Sequence, residues 1–161
     1  MPTRLLLLLL PCAALAPFAG CARQPPAAAA AAPRRHEHHP PHGGTPVVLG
    51  DEAYHLELVR DPGAGVLQVF ILDGEMENFI RAAMPSFTIE ATVGGETRRL
   101  TLQAVPDPAT GETVGDTALF SAEAEWLRTA GSFDGVVKSV TIRGSTFTDV
   151  AFNFPQGNDH D

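Results

Sequence analysis

The sequence predicts an all-β domain, in the form of an antiparallel β-sandwich of the Ig-like or Greek-key type with seven or eight strands. Apolar and polar residues alternate with a period of two in several segments between residues 45 and 155. Turns rich in Gly and Pro separate these segments, and only residues 123–129 have the pattern of a short amphipathic helix, with Trp126 and Leu127 facing inward. A small Greek-key barrel has the same signature, and the pattern does not choose between the two folds.

Two pairs of strands have the clearest patterns. Alternation in residues 54–59 and a nearly continuous apolar run in residues 66–72 predict two strands joined by a turn, the second of them covered on both faces. Alternating residues on both sides of Gly94-Gly95 predict a β-hairpin. The remaining predicted strands are 117–121, 136–142 and 147–154.

The first 20 residues have the pattern of a bacterial export signal, with a positive charge at Arg4, the apolar segment Leu5–Leu10, and small residues at the end. The next four-residue stretch to consider, Phe18-Ala19-Gly20-Cys21, resembles the lipobox of bacterial lipoproteins. That resemblance implies cleavage before Cys21, a diacylglycerol thioether on its sulfur, and acylation of the new N-terminus by a fatty acid such as palmitate. Such acyl chains would anchor the protein stably in a membrane.

Two consequences follow from this processing. The residues after Cys21 are Ala22 and Arg23 and not Asp, which favours the outer membrane, facing the periplasm, over the inner membrane. Cys12 leaves with the leader, so the mature chain has no thiol available for a disulfide, a Cys nucleophile or a thiolate metal site.

Residues 21–44 are rich in Ala, Pro and His, and they predict an extended, disordered tether. The tether contains a cluster of four imidazoles and one carboxylate: His36, Glu37, His38, His39 and His42. Neutral imidazole is a good ligand for Zn²⁺, Cu²⁺ and Ni²⁺, so we expect a divalent metal ion to bind there. The alternative is a low-complexity spacer whose histidines only gain charge below about pH 6.5.

The chain is acidic, with a formal net charge of −8. From Thr45 onward, seven Lys and Arg face 18 Asp and Glu, a formal charge of −11. Such a surface repels phosphates, so nucleic acid is excluded as a partner. The charge favours solubility or an attraction for cations and basic surfaces, and it does not choose between them.

Evidence for catalysis is slight. His55 and Glu57 lie two residues apart on one strand face, a spacing that suits a small metal or acid–base site, but we interpret them as a solvent-facing polar stripe. Residues 73–78 resemble a calcium loop in their oxygen-rich side chains, yet they lack its ligand count and are interpreted as an acidic turn. The sequence has no phosphate-binding glycine loop, dinucleotide fingerprint or HExxH motif, and we predict that the protein is not an enzyme.

Several short stretches resemble a group of small exported bacterial β-domain proteins, many of them lipoproteins. The stretches are His42-Gly43-Gly44, Tyr54–Val59 (YHLELV), Val69–Gly74 (VFILDG), Gly115-Asp116, Glu125-Trp126-Leu127, Phe133-Asp134-Gly135 and Asn153-Phe154-Pro155. Proteins that share the His-Gly-Gly opening and a β-domain sit beside heavy-metal efflux systems, which favours the metal hypothesis. Relatives carry His after the Asp-Gly pair, where this chain has Glu75, so a ligand implied by the resemblance is altered here. The resemblance assigns no catalytic residue.

The sequence therefore predicts a lipid-anchored, non-enzymatic envelope protein that binds Zn, Cu or Ni through its His-rich tether or assists metal handling. The alternative is a structural module whose β-domain docks onto another envelope protein and whose His run is incidental. The predicted organisation is a signal peptide (1–20), a tether (21–44), a β-sandwich (45–155) and a flexible tail (156–161).

Overall fold

The computed structural model describes residues 39–158, which form eight antiparallel strands and two short 3-10 turns. The strands are β1 (Thr45–Leu49), β2 (Tyr54–Asp61), β3 (Val66–Asp73), β4 (Ser86–Val93), β5 (Glu96–Ala104), β6 (Leu119–Glu123), β7 (Phe133–Ile142) and β8 (Ser145–Phe154). They belong to one sheet with the order β1-β2-β3-β6-β5-β4-β7-β8. The predicted all-β antiparallel class is thus confirmed. The architecture is a single curled sheet, nearly closed like a barrel, instead of two separate sheets.

Alternation along the strands directs one face of each strand into a single core. Leu56 and Leu58 of β2 face inward beside Val69 and Ile71 of β3, and all four side chains are fully buried. The other strands contribute to the same core, which includes Val47, Leu49, Leu67, Phe87, Ile89, Leu100, Leu102, Phe120, Leu127, Val137, Val140 and Ile142. Burial of such side chains contributes about 1.5–3 kcal/mol each.

The β4–β5 hairpin turns at Gly94-Gly95 as predicted. Both glycines have positive φ, 59° and 87°, which two-residue hairpin turns of type I′ require and which side chains with a Cβ disfavour. In contrast, β1 was not predicted, because it has only five residues and includes Pro46. Pro46 is tolerated there since β1 is the first strand in the sheet order.

The helix predicted at residues 123–129 is wrong in type and length. The segment is a 3-10 turn of four residues, Glu125–Arg128, because β6 continues to Glu123 and Ala124 provides no side-chain cap. Leu127 is fully buried, as predicted, and Trp126 packs partly buried against the core.

The C-terminal segment covers the seam between β1 and β8. The side-chain amide of Asn158 accepts a hydrogen bond from the Val48 N–H at 2.7 Å and donates one to the Val48 carbonyl at 3.2 Å. Thr45 Oγ1 also donates to the Pro155 carbonyl at 3.1 Å. The folded part therefore extends to Asn158, beyond the predicted boundary at residue 155. Residues 39–158 contain no helix that is long and apolar enough to cross a membrane.

Candidate functional site

Glu57 is a fully buried carboxylate in the middle of β2, and His55 on the same strand face is also fully buried. The predicted solvent-facing stripe is therefore wrong. Period-two alternation located the face correctly, but the neighbouring segments that cover this face are not evident from the strand itself. His55 lies with its Nδ1 3.3 Å from the carbonyl oxygen of Asp73.

Three hydrogen-bonding groups of the His-Gly-Gly segment (His42–Gly44) surround the Glu57 carboxylate. The backbone N–H groups of His42 and Gly44 donate to Oε1 at 2.7 and 2.9 Å. The imidazole Nδ1 of His42 lies 2.8 Å from Oε2. A buried carboxylate is costly unless hydrogen bonds replace its hydration, and this segment supplies them.

The two glycines explain how the segment approaches so closely. Gly43 has a φ of +66°, which turns the chain so that the flanking N–H groups converge on one oxygen. A Cβ at Gly44 would lie 2.6 Å from the Leu58 carbonyl oxygen and 2.8 Å from Glu57 Cγ, so no larger residue fits. The predicted tether thus ends before His42, because the last three of its residues pack on β2.

The hydrogen bonds also orient the His42 ring. Because Glu57 Oε1 already accepts two backbone N–H groups, Oε2 is the natural acceptor for the proton on His42 Nδ1, and in the neutral imidazole Nε2 then has the free lone pair. The ring stacks on Phe70, with centroids 3.9 Å apart and planes 15° apart. Its side chain is 39% exposed, so the imidazole is fixed in position but remains accessible.

A groove of about 470 Å³ opens beside the His42 ring. We call it the Phe79 groove; it is lined by His42, Phe70, Phe79, Arg81, Val105, Asp107, Thr110, Glu112, Ala118 and Leu119. The Phe79 ring lies 5.8 Å from the His42 ring and 5.9 Å from the Phe70 ring. One wall of the groove is therefore aromatic, and the other is formed by the loop that precedes β6.

Arg81 stabilises the wall that is formed by the loop before β6. Its guanidinium donates to the Thr110 carbonyl at 2.6 Å and to the Asp116 carboxylate at 3.1 Å. Glu112 lies 3.6 Å from Arg81 Nε and accepts hydrogen bonds at its other oxygen from the buried Thr117 hydroxyl and from the Asp107 N–H. This network holds the loop against the sheet.

The acidic segment at residues 73–78 forms a turn, as predicted. The Asp73 carboxylate accepts hydrogen bonds from the Glu77 N–H at 2.9 Å and from the Asn78 N–H and side-chain amide at 3.2 and 2.6 Å. Partial burial acts to raise the pKa of Asp73, but the hydrogen bonds from Asn78 and its neighbours outweigh it and lower the pKa below its ordinary value of 3.8. The Asp73 carboxylate therefore stabilises the turn by its hydrogen bonds to Glu77 and Asn78.

The structure brings together only part of the predicted site. Cys21, His36 and His38 lie outside the described residues, as does Glu37. His42 and Glu57 are in contact, and His39 is exposed three residues before His42. His55 lies on the same buried strand face as Glu57, with its Nδ1 beside the Asp73 carbonyl oxygen. Within residues 39–158, no group of three or more His, Cys, Asp or Glu side chains is placed to hold a metal ion.

No protein-family model, curated protein or solved structure matches this chain. Two features of the site were not predicted from the sequence: the contact between His42 and Glu57, and the Phe79 groove. The contact between His42 and Glu57 had one indication in the sequence. Two glycines follow the histidine directly, shortly before the first strands, and glycines allow a close approach of the backbone. The groove had no such indication, because its residues come from five separate segments.

Proposed function

We propose that this chain is a lipid-anchored, non-enzymatic protein of the cell envelope that binds a divalent transition-metal ion through its His-rich segment. The ion is Zn²⁺, Cu²⁺ or Ni²⁺, and His42 is the ligand that the β-domain holds in place. The observation that supports this proposal most directly is the 2.8 Å contact between His42 Nδ1 and the buried Glu57 carboxylate.

A metal-binding histidine usually donates the N–H of its other ring nitrogen to a carboxylate or a carbonyl oxygen. This hydrogen bond fixes the tautomer, orients the ring and raises the basicity of the nitrogen that binds the metal. Here Glu57 is placed to orient the His42 ring and to accept the proton of Nδ1, which leaves Nε2 of the neutral imidazole with the lone pair that a metal needs. His39 lies three residues away, and His36 and His38 precede it, so further imidazoles are close in sequence to complete the coordination.

The Glu57 contact makes a sharp test possible. In Glu57→Gln, the side-chain oxygen still accepts the two backbone N–H groups, so the amide nitrogen faces His42 Nδ1 and donates to it. His42 must then carry its proton on Nε2 and loses the lone pair needed for a metal. We expect the affinity for Zn²⁺ or Cu²⁺ to fall about 10- to 100-fold, measured by calorimetry or chelator competition on the purified full-length protein.

Two histidine variants provide the matched comparison. His42→Gln removes the fixed ligand and should weaken metal binding by at least as much as Glu57→Gln. His160→Gln removes one imidazole far from the cluster in sequence and should leave the affinity unchanged. If His42→Gln and the unmodified protein bind the metal ion with equal affinity, the β-domain does not provide a ligand to it.

The anchor is tested separately. The sequence Phe18-Ala19-Gly20-Cys21 and the leader before it support lipidation of Cys21. We expect labelled palmitate to be incorporated into the protein and into His42→Gln, and not into Cys21→Ala, which should leave the membrane fraction. Membrane association that persists in Cys21→Ala would contradict the lipid anchor while leaving the metal proposal intact.

A further inference from the structure

The Phe79 groove exposes apolar surface that a folded domain normally buries. Three large apolar side chains are exposed among the described residues: Phe79 at 50%, Val105 at 40% and Val114 at 64%. Phe79 and Val105 both line the groove. Single exposed apolar residues need no explanation, but two that face one concave site, one of them aromatic, are typical of a binding surface.

The groove is also pre-organised. Phe79 packs against Phe70 and His42, and His42 is fixed in turn by Glu57. The opposite wall is held by the bonds of Arg81 to the Thr110 carbonyl and the Asp116 carboxylate. Rigid walls lower the entropic cost of binding, because few side chains have to be ordered when a ligand enters.

The charges around the groove identify the kind of occupant. Asp107 and Glu112 line the groove, and Asp116 is paired with Arg81, which also lines it. We call these three carboxylates the rim. Arg81 is the only Lys or Arg that lines the groove, and Glu112 and Asp116 already lie 3.6 and 3.1 Å from its guanidinium. The three carboxylates of the rim thus outnumber this one cation, and the remaining negative charge attracts cations at the edge of an apolar site.

We propose that the Phe79 groove binds a peptide segment of a partner protein, in which an aromatic or large aliphatic side chain is flanked by Lys or Arg. The apolar side chain enters between Phe79 and Val105, and the basic residues face the carboxylates of the rim. The charge argues against other occupants: a second copy of this chain has the same negative charge of −8, and an anionic lipid surface is repelled by the rim. This inference does not depend on the metal proposal.

The test measures fluorescence anisotropy of a fluorescein-labelled peptide, Gly-Lys-Lys-Phe-Lys-Lys-Gly, with the purified full-length protein in detergent. Two matched peptides replace the Phe by Ser or the four Lys by Glu. We expect saturable binding of the first peptide, at least tenfold weaker binding of the Ser peptide, and no detectable binding of the Glu peptide. Affinity should also decrease as salt is raised, because the rim charges are exposed.

Variants of the protein locate the site. Phe79→Ala should weaken binding of the Phe peptide at least tenfold, as truncation of an aromatic anchor does, and Val105→Ala should weaken it about threefold. Val114→Ala is the matched control, since it removes the same two methyl groups from a more exposed valine that does not line the groove. It should leave the affinity unchanged. Thermal unfolding of each variant checks that the domain is intact, and Val105→Ala keeps the test decisive if Phe79→Ala unfolds.

Three results would overturn the proposal. Equal affinity of the unmodified protein and both groove variants would place the peptide elsewhere. Equal binding of the Phe and Ser peptides would mean that charge alone acts and the groove is not used. A dimer in light scattering that Phe79→Ala converts to a monomer would show that a second copy fills the groove.

Discussion

At the scale of single residues, the best-defined feature is a buried acid bound by a short glycine-containing segment. Glu57 has no exposed surface, and its partners are two backbone N–H groups and one imidazole from His42–Gly44. Removal of these donors leaves a buried carboxylate without a replacement for its hydration, which destabilises a fold by at least about 1–3 kcal/mol. The segment is therefore a structural part of the domain, whatever else His42 binds.

Gly44 offers a direct test of this contact. In Gly44→Ala the new methyl group overlaps the Leu58 carbonyl oxygen at 2.6 Å and Glu57 Cγ at 2.8 Å, so the segment must move away from the carboxylate. We expect the free energy of unfolding to fall by about 2–3 kcal/mol, measured by chemical denaturation.

Gly131→Ala is the control for Gly44→Ala. Nothing lies within 4 Å of the position of its Cβ, and its φ is not positive. Its unfolding free energy should stay within about 0.5 kcal/mol of the unmodified protein. Equal effects of the two substitutions would mean that the close approach at Gly44 has no energetic importance.

At the scale of elements, a cation from one strand binds the C-terminal carbonyl groups of a 3-10 turn whose N-terminus has no side-chain cap. Arg60 of β2 donates to the carbonyl oxygens of Leu127 at 2.8 Å and Ala130 at 2.7 Å, at the end of the 3-10 turn Glu125–Arg128. Cationic side chains stabilise the carbonyl end of such turns. This explains why a four-residue turn without a side-chain N-cap is retained.

We expect Arg60→Ala to lower the free energy of unfolding by about 2 kcal/mol, because two charge-assisted hydrogen bonds are lost. Arg98→Ala is the matched control, since Arg98 pairs only with the neighbouring exposed Glu96 in the ion pairs given for the described residues. Its effect should be below about 1 kcal/mol. Thermal and chemical unfolding measure the loss of stability in Arg60→Ala and Arg98→Ala. Similar losses in the two variants would contradict the role of Arg60 at the end of the turn.

The contribution of the turn at residues 73–78 to the stability of the fold depends on pH, because Asp73 titrates at a lower pH in the folded chain. The pKa of Asp73 is lower in the folded chain than its ordinary value of 3.8. Its carboxylate therefore stabilises the fold at pH values above 3.8, and this contribution is lost as the pH falls through the lower folded pKa. In Asp73→Asn we expect stability to depend less steeply on pH below about 4. The same slope in Asp73→Asn and in the unmodified protein would contradict this.

At the scale of the whole molecule, the side chain of Asn158 bonds to the backbone of β1, the strand at one end of the sheet order. Asn158 makes two hydrogen bonds to Val48 across the seam between β1 and β8. Gly157 permits this approach, since a Cβ there would lie 2.2 Å from the Pro46 carbonyl oxygen. The sheet is thus protected along an edge that would otherwise expose backbone groups.

Asn158→Ala should open this seam locally. We expect the Val48 amide to exchange with solvent at least ten times faster and the free energy of unfolding to fall by about 1–2 kcal/mol. Gln156→Ala changes an exposed neighbour and should affect neither measurement. Hydrogen exchange followed by NMR distinguishes the two variants, and unchanged protection at Val48 in Asn158→Ala would contradict the role of the amide.

Local patterns predicted most of the fold and little of the site. Strands such as β3 and the hairpin at Gly94-Gly95 follow from alternation and turn residues, which depend on neighbours in sequence. The burial of Glu57 and the position of Phe79 depend on segments far away in sequence, which alternation does not report. For the same reason the curled single sheet could not be distinguished from a sandwich, since closure at Asn158 joins residues 110 positions apart.

The attachment of His42–Gly44 also has a mechanical consequence. Any pull on the chain from its N-terminal side reaches the three contacts with Glu57 before it reaches β1. The load then passes into β2, a strand with a hydrogen-bonded neighbour on each side, and β1 is not peeled away from its end. A domain pulled from this side would resist mechanical unfolding for as long as Glu57 keeps its hydrogen bonds to the segment.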